Sequence, residues 1–132
     1  WKEQNPEENN RLFKELNDEN AKAIEALQAE NYADFKTHFQ RGWGLTALFG
    51  QKIGAPVSTS EFDKLIAESL ENGAFVCKLP GAGGGDSIAA FCLTDADKER
   101  LERFWSAYSE KQLVPLNLSV SNQGVRLEKR MP

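Results

Sequence analysis

The sequence predicts an α+β fold in which helices pack on one small, mainly antiparallel sheet. Four stretches carry apolar residues at spacings of three and four, the helical period, and the shorter apolar runs have the length of strands. Their order is three helices, two strands, a fourth helix and one or two strands. With 132 residues, the chain has the length of one ordinary domain, and we expect a single domain over residues 1–132.

The first two elements are predicted to form a helical hairpin. Asn5 offers an N-cap and Pro6 suits the first helical position, so a helix begins there and continues to about residue 29. Its apolar stripe consists of Leu12, Phe13, Leu16, Ala23, Ile24 and Leu27. Asn31 caps a second helix that continues to about residue 49. One face of this second helix carries Phe35, Phe39 and Trp43.

A third helix and a strand hairpin follow. Residues 58–61, Ser-Thr-Ser-Glu, are typical of a capping box, and Gly73 is placed to end the helix that starts there. Residues 74–79 and 88–93 are short apolar runs, which favours strands over helices. We expect these two runs to pair as an antiparallel hairpin.

The last part of the chain is predicted to hold one more helix and one or two strands. Thr94 begins the helix, whose apolar face consists of Leu101, Phe104, Trp105 and Tyr108. Residues 114–120 alternate apolar and polar side chains, the pattern of a half-buried strand. Residues 125–127 are predicted to form a short final strand. We interpret Trp43, Phe104 and Trp105 as core residues.

Composition excludes several function classes. The net charge is −4 and no basic stripe is interleaved with aromatics, so we expect no nucleic-acid partner. No apolar run approaches the roughly 20 residues that a membrane helix needs, and the first ten residues lack the signal-peptide pattern. We therefore expect no membrane association and a cytoplasmic location. One histidine, His38, and two separated cysteines, Cys77 and Cys92, give no support for a zinc site, a disulfide or a Ser/His/Asp triad.

A glycine-rich loop lies between the two predicted strands. Residues 78–87 read Lys-Leu-Pro-Gly-Ala-Gly-Gly-Gly-Asp-Ser. Glycines permit positive φ and close approach, so successive backbone N–H groups can form a concavity that selects anions. The alternative is a plain hairpin loop, but such a turn usually needs only one or two glycines. Dinucleotide-binding and Walker loops do not fit, because a strand follows here and Asp86-Ser87 replaces the Walker lysine and hydroxyl.

Residues 78–86 resemble the third motif of the GHMP kinases, a family that includes galactokinase, homoserine kinase, mevalonate kinase and phosphomevalonate kinase. The helical hairpin and the Val57-Ser58-Thr59 start of the third helix occupy the same places before that motif. The resemblance covers nearly the whole chain and implies that family's ferredoxin-like C-terminal domain. Asp86 after the glycine triplet is more similar to the phosphomevalonate kinases than to the mevalonate kinases. The implied reaction is ATP-dependent phosphorylation of 5-phosphomevalonate to 5-diphosphomevalonate.

One motif of that family has no counterpart here. Its nucleotide loop, similar to Pro-x-x-x-Gly-Leu-Gly-Ser-Ser before a helix, is absent, and no catalytic base or magnesium ligand can be assigned. We therefore expect the chain to be the C-terminal domain of a larger kinase, without the family's first strand and inactive alone. The resemblance implies an N-terminal kinase domain as partner. It also implies ATP and Mg²⁺ in the complete enzyme, neither of them bound by this chain alone.

The resemblance also implies which residues line the phosphate end of the cleft. They are Gly81, Ala82, Gly83, Gly84 and Gly85, acting through backbone N–H groups. We expect Gly83→Val in the intact enzyme to lower phosphoryl transfer with little loss of stability.

Four side chains complete the candidate site, each with a structural alternative. Asp86 either caps loop amides or acts through a cation. Ser87 donates its hydroxyl to phosphate or bonds its own backbone. Lys78 reaches a phosphate or stays solvated, and Arg41 faces the acceptor or lies on the surface.

Three other functions remain open at this level. The chain is part of another GHMP small-molecule kinase, acting on mevalonate or a sugar. It is instead a free-standing module that binds a small phosphorylated ligand. Or it is a structural module whose exposed sheet edge forms a homodimer.

Overall fold

The computed structural model describes residues 1–81, 83–116 and 118–124. Within them the elements are α1 (Pro6–Gln28), α2 (Tyr32–Lys52), α3 (Ser60–Glu71), β1 (Val76–Lys78), β2 (Ala89–Phe91) and α4 (Asp95–Ser106). The two strands pair antiparallel, with Val76 opposite Phe91 and Lys78 opposite Ala89. The predicted α+β class and the strand hairpin are confirmed.

Helices α1 and α2 form the predicted hairpin. Asn31 Oδ1 accepts a hydrogen bond from the Asp34 amide at 3.2 Å, so the predicted cap of α2 is confirmed. Helix α1 begins at Pro6, but its predicted cap is wrong, because the Asn5 side chain donates to the Trp1 carbonyl oxygen instead.

The contact surface between α1 and α2, which we call the seam, buries fewer residues of the α1 apolar stripe than the sequence predicts. Leu12, Ala23 and Ala26 are buried, whereas Ile24 and Leu27 are exposed. At the seam His38 Nδ1 lies 2.6 Å from Glu19 Oε2, and both side chains are largely shielded from solvent.

The core lies where α3, α4 and the strand hairpin meet. Thr59 caps α3 and Thr94 caps α4, each accepting a hydrogen bond from the amide three residues later. The buried Ser69 hydroxyl accepts a hydrogen bond from Trp105 Nε1 at 2.9 Å, which ties α4 to α3. The core consists of Ile66, Ala74, Cys77, Leu79 and Leu101, with Trp43, Phe104 and Trp105 among the side chains packed on it.

The predicted strand over residues 114–120 is wrong for the residues that the structure describes there. Residues 114–116 and 118–120 form no strand. All four apolar side chains of the pattern are exposed. Alternation along a segment supplies the face of a strand, but a strand also needs a partner that pairs with its backbone, and among the described residues the sheet consists of β1 and β2 alone. The predicted strand at 125–127 lies outside the described residues.

None of the helices in the described part of the chain has an apolar stretch long enough to cross a bilayer.

Candidate functional site

The glycine loop connects β1 to β2 and takes backbone conformations that require glycine. Gly81, Gly83 and Gly84 have φ of +62°, +79° and +72°, in the region that side chains with a β-carbon rarely adopt. The positive φ predicted for the loop is therefore confirmed at these three positions. Gly85 has no positive φ, and Ala82 lies outside the described residues.

One half of the loop is clamped against the linker between α2 and α3. The Gly84 amide donates a hydrogen bond to the Val57 carbonyl oxygen at 2.7 Å. A β-carbon on Gly83 would lie 2.6 Å from Val57 Cβ and closer still to the Val57 carbonyl oxygen. The structure thus contradicts the expectation that Gly83→Val costs little stability, because Gly83 serves packing as well as loop shape.

The linker is held from its other side by α2. A β-carbon on Gly50 would lie 2.9 Å from Val57 Cγ1 and 2.7 Å from the Ala55 carbonyl oxygen. Val57 is therefore enclosed between two glycines that are 33 positions apart in the sequence. Sequence reasoning misses this clamp, since it treats Gly50 as a helix end whereas α2 continues to Lys52. The only signal is a glycine in a helical pattern, which often marks close packing.

The other half of the loop is open. Within the described residues, the amides of Gly85, Asp86 and Ser87 donate to no protein acceptor. Apart from Gly85 and its two chain neighbours, no residue that the structure describes has an atom within 4 Å of the β-carbon position of Gly85. Exposed N–H groups on a backbone that is fixed nearby are suited to bind an anion. We call Gly83 and Gly84 the clamped half of the loop, and Gly85, Asp86 and Ser87 its open half.

Lys78 lies at the start of the loop and is held there by an aromatic ring. Its Nζ is 5.4 Å from the centroid of the Trp43 ring on α2. A cation–π contact of this kind restricts the position of the ammonium group. Lys78 is half-buried, and its contact with a phosphate stays a prediction.

Arg41 is on a different side of α2. Its Nη1 lies 4.0 Å from Glu19 Oε1 on α1, and its side chain is exposed. Two residues are about 200° apart around a helix, so Arg41 and Trp43 point in nearly opposite directions. The structure does not bring Arg41 together with Lys78, and its proposed contact with the acceptor stays a prediction.

A cavity of about 250 Å³ lies beside Asp86. Among the described residues, its lining includes the carboxylates of Glu61, Asp86 and Glu110 and a single cation, Lys111. Backbone and hydroxyl hydrogen bonds at the start of α3 lower the pKa of Glu61, which keeps that carboxylate charged. A cavity of this charge repels phosphate, so we expect a phosphate to bind on the Lys78 side of the loop.

The described residues bring together no group of three His, Cys, Asp or Glu side chains that could hold a metal ion. The carboxylate of Asp86 is exposed beside the open half of the loop. Its role there, as a cap or through a cation, stays a prediction.

Comparison with known proteins identifies the family to which this sequence is similar. The family model described as GHMP kinases C terminal matches residues 7–111. Among curated proteins, the chain is 29% identical to the phosphomevalonate kinase ERG8 of Gibberella zeae over 97% of its own length. It is 27% identical to a phosphomevalonate kinase of Saccharolobus solfataricus over 89% of its length.

The chain spans only about a third of the length of these relatives, 30% of the first and 34% of the second. No solved structure is significantly similar.

Proposed function

The chain belongs to the GHMP kinase C-terminal family, and from this we propose that it forms the C-terminal part of the cleft of a phosphomevalonate kinase-like enzyme. In the proposed reaction the γ-phosphoryl group of ATP passes to 5-phosphomevalonate and gives 5-diphosphomevalonate, an isoprenoid precursor of the mevalonate pathway. We place this reaction in the cytoplasm. Both relatives are named phosphomevalonate kinases, which supports this acceptor.

The open half of the glycine loop carries the proposal. Phosphoryl transfer depends on positioning and on stabilising charge that spreads over the phosphoryl oxygens. Here the N–H groups of Gly85, Asp86 and Ser87, which have no acceptor in the described part of the chain, adjoin a backbone that Val57 fixes. The Lys78 ammonium is held at the same loop by Trp43. Donors that are fixed before the reaction cost little reorganisation when charge develops.

We propose that an N-terminal GHMP kinase domain supplies the other wall of the cleft and that this chain alone is inactive. Mg²⁺ is usually bound by one or two carboxylates together with substrate phosphates. Asp86 fits such a role only beside a nucleotide that other residues bind, since it is a single exposed carboxylate. ATP would supply the phosphoryl group, and Mg²⁺ would neutralise phosphate charge. The backbone of residues 81–87 would orient the phosphates.

An ADP-release assay with three acceptors tests the proposal. It compares 5-phosphomevalonate, mevalonate and galactose, using the 132-residue chain and a polypeptide of the relatives' length that contains it. We expect turnover only with the longer polypeptide and 5-phosphomevalonate. Turnover of mevalonate or galactose would assign another GHMP kinase. Turnover by the chain alone would contradict its proposed inactivity, and phosphate binding without turnover in either protein would favour a free-standing binding module.

Two lysines give a matched test of the loop within that assay. Lys78 lies over Trp43 beside the loop, and Lys36 lies over the Phe75 ring at 5.2 Å. Both have the same contact type, but only Lys78 adjoins the loop. We expect Lys78→Met to lower kcat/KM about 10- to 100-fold, the effect of losing one charged hydrogen bond. Lys36→Met should leave kcat/KM nearly unchanged, and equal losses in the two variants would mean that the effect is structural.

A further inference from the structure

The two faces of the strand hairpin are covered to different degrees. Side chains alternate along a strand, and residues directly opposite each other share a face. Cys77 and Ala90 share one face, and both belong to the core cluster or pack against it. Val76 and Phe91 share the other face, where Val76 is fully buried but Phe91 is 54% exposed. On this second face β1 is therefore covered, and β2 is left open.

Helix α2 covers the β1 half of the second face. It contacts β1, and its Trp43 ring lies beside the ammonium of Lys78, which is on the same face as Val76. Lys78 is directly opposite Ala89. Ala89 and Phe91 are alternate residues of β2, so both are on this face next to Lys78. We call Ala89 and Phe91 the β2 strip.

The β2 strip combines an apolar surface with a cation at one end. Lys78 and Phe91 are diagonal neighbours across the strand pair, which places them roughly 7–8 Å apart. Ala89, between them, has only a methyl side chain and fills little of that space. The strip begins two residues after Ser87, in the open half of the loop. A ligand whose phosphate binds at the open half can therefore extend along the strip.

The chemistry of the strip favours one kind of occupant. The Lys78 ammonium attracts an anionic group, and the Phe91 ring favours a hydrocarbon group, because contact between them removes apolar surface from water. The proposed acceptor, 5-phosphomevalonate, carries both, since a methyl-branched carbon skeleton lies a few bonds from its phosphate. A sugar has hydroxyl groups in place of that hydrocarbon, and burying them against an apolar ring without hydrogen bonds costs free energy.

We propose that Phe91 is a specificity-determining residue, whose ring packs against the branched carbon skeleton of the acceptor while Lys78 binds the acceptor's phosphate. The small side chain of Ala89 leaves the skeleton room to lie on the sheet between them. The acceptor is thereby held with its phosphate at the open half of the loop, in the position for phosphoryl transfer. This inference rests on the proposed function, from which it takes the acceptor.

Calorimetric titration of the longer polypeptide with 5-phosphomevalonate, in the presence of ADP, tests the contact. We expect Phe91→Ala to raise Kd about 10-fold, because the exposed half of the ring is lost as a contact. Phe91→Leu keeps most of the apolar surface and should stay within about threefold of the parent Kd. Equal affinity of the parent and Phe91→Ala would overturn the proposal.

Leu93→Ala is the matched control for this titration. Leu93 is 51% exposed, which is close to the exposure of Phe91, but it lies two residues further along the chain from the position opposite Lys78. We expect Leu93→Ala to leave Kd for 5-phosphomevalonate unchanged. An equal rise in Kd for both alanine variants would contradict the specific role of Phe91.

Glycerol 3-phosphate separates the two contacts, because it carries a phosphate but no branched hydrocarbon. Its affinity for the longer polypeptide should fall in Lys78→Met and stay unchanged in Phe91→Ala. If Phe91→Ala weakens the binding of both ligands equally, Phe91 does not recognise the carbon skeleton and the proposal is wrong.

Thermal unfolding distinguishes a ligand site from a surface that other polypeptide covers. We expect Phe91→Ala and Leu93→Ala each to change the thermal midpoint of the longer polypeptide no more than that of the 132-residue chain. A larger loss in the longer polypeptide for both variants would overturn the proposal, since it would mean that another part of the polypeptide packs on this face.

Activity separates this inference from the proposed function. Where both hold, Phe91→Ala raises KM for 5-phosphomevalonate about 10-fold and leaves KM for ATP unchanged. Turnover with the same acceptor KM in the parent and Phe91→Ala rejects the inference alone. Binding that depends on Phe91 but leads to no turnover rejects the proposed function alone. Absence of both binding and turnover rejects both.

Discussion

The two arms of the strand hairpin differ in how firmly they are held. The incoming arm contains Val76 and Leu79, at most 1% exposed, and ends in Gly83 against Val57. The outgoing arm contains Asp86, which is exposed, and Leu93, which is 51% exposed. One arm is thus anchored in the core, and the other presents its backbone to solvent.

The cause is the placement of the helices. Strand β1 contacts both α2 and α3, whereas β2 contacts the core with alternate residues only. Ala90 and Cys92 pack on the core, and Phe91 and Leu93 point away from it. A loop with one fixed end and one open end can hold donors in place and still admit a ligand, which is what an anion site requires.

Leucine truncation on each arm should give the largest difference. We expect Leu79→Ala to lower the free energy of unfolding by about 2 to 5 kcal/mol, because the buried side chain leaves a cavity. Leu93→Ala removes the same atoms from a half-exposed position and should cost less than about 1.5 kcal/mol. Urea unfolding followed by tryptophan fluorescence measures both. Equal losses would mean that the two arms are equally anchored.

Alanine substitution of the loop glycines tests the clamp. Gly83→Ala introduces a β-carbon at positive φ, which costs of order 1–3 kcal/mol, and the overlap with Val57 adds about 1–3 kcal/mol. Gly85→Ala meets open space at an ordinary φ and should change stability by less than about 0.5 kcal/mol. The same unfolding measurement applies. A stable Gly83→Ala protein would disprove the clamp.

The reactivity of the two cysteines, one on each arm, should differ in the same direction, with a smaller effect. Burial raises the pKa of Cys77 from 9.0 to about 12. Cys92 is less deeply buried, and burial raises its pKa as well. Because the thiolate is the reactive form, a thiol reagent should label Cys92 faster than Cys77 in the native protein. Mass spectrometry of the labelled peptides would show this order, and the reverse order would contradict the burial of the incoming arm.

The raised pKa of Cys77 also predicts a pH dependence. Below pH 9 the thiol is protonated in both states, so it adds no pH dependence there. Between pH 9 and about 12 only the unfolded state loses the proton, so the free energy of unfolding falls as pH rises. Cys77→Ala should show a smaller fall than the parent protein over this range. Identical slopes would mean that Cys77 ionises equally in both states.

Much of the fold was predictable because its signals are local. The caps at Asn31 and Thr94 act within three residues of themselves, and each was recognisable from residue type and spacing. The cap of α3 is Thr59, one residue after the Ser58 that a capping box ending at Glu61 requires. The failed cap at Asn5 shows the limit of such reasoning. Its side chain has a competing acceptor, the Trp1 carbonyl oxygen, which becomes available only through the path of the preceding residues.

The candidate site was predictable in its position and only partly in its internal arrangement. The glycine run between two apolar segments indicated a strand-to-strand loop, and the structure has that loop. The sequence could not predict that one half of the loop is clamped and the other open. This division depends on Val57, which is 26 positions before Gly83 in the sequence. For the same reason, the sequence did not show that Lys78 lies over Trp43 whereas Arg41 lies beside Glu19.

The sequence by itself determined the helices, the strand hairpin and the positive-φ glycines, since these follow from periodicity, capping and the missing β-carbon over a few residues. Only the tertiary structure decided that Gly50 and Gly83 enclose Val57, and that the alternating apolar side chains between Val114 and Val120 are exposed. Packing and strand pairing join residues that are far apart along the chain. A local pattern therefore shows that a partner is needed, but the three-dimensional arrangement determines which residues provide it.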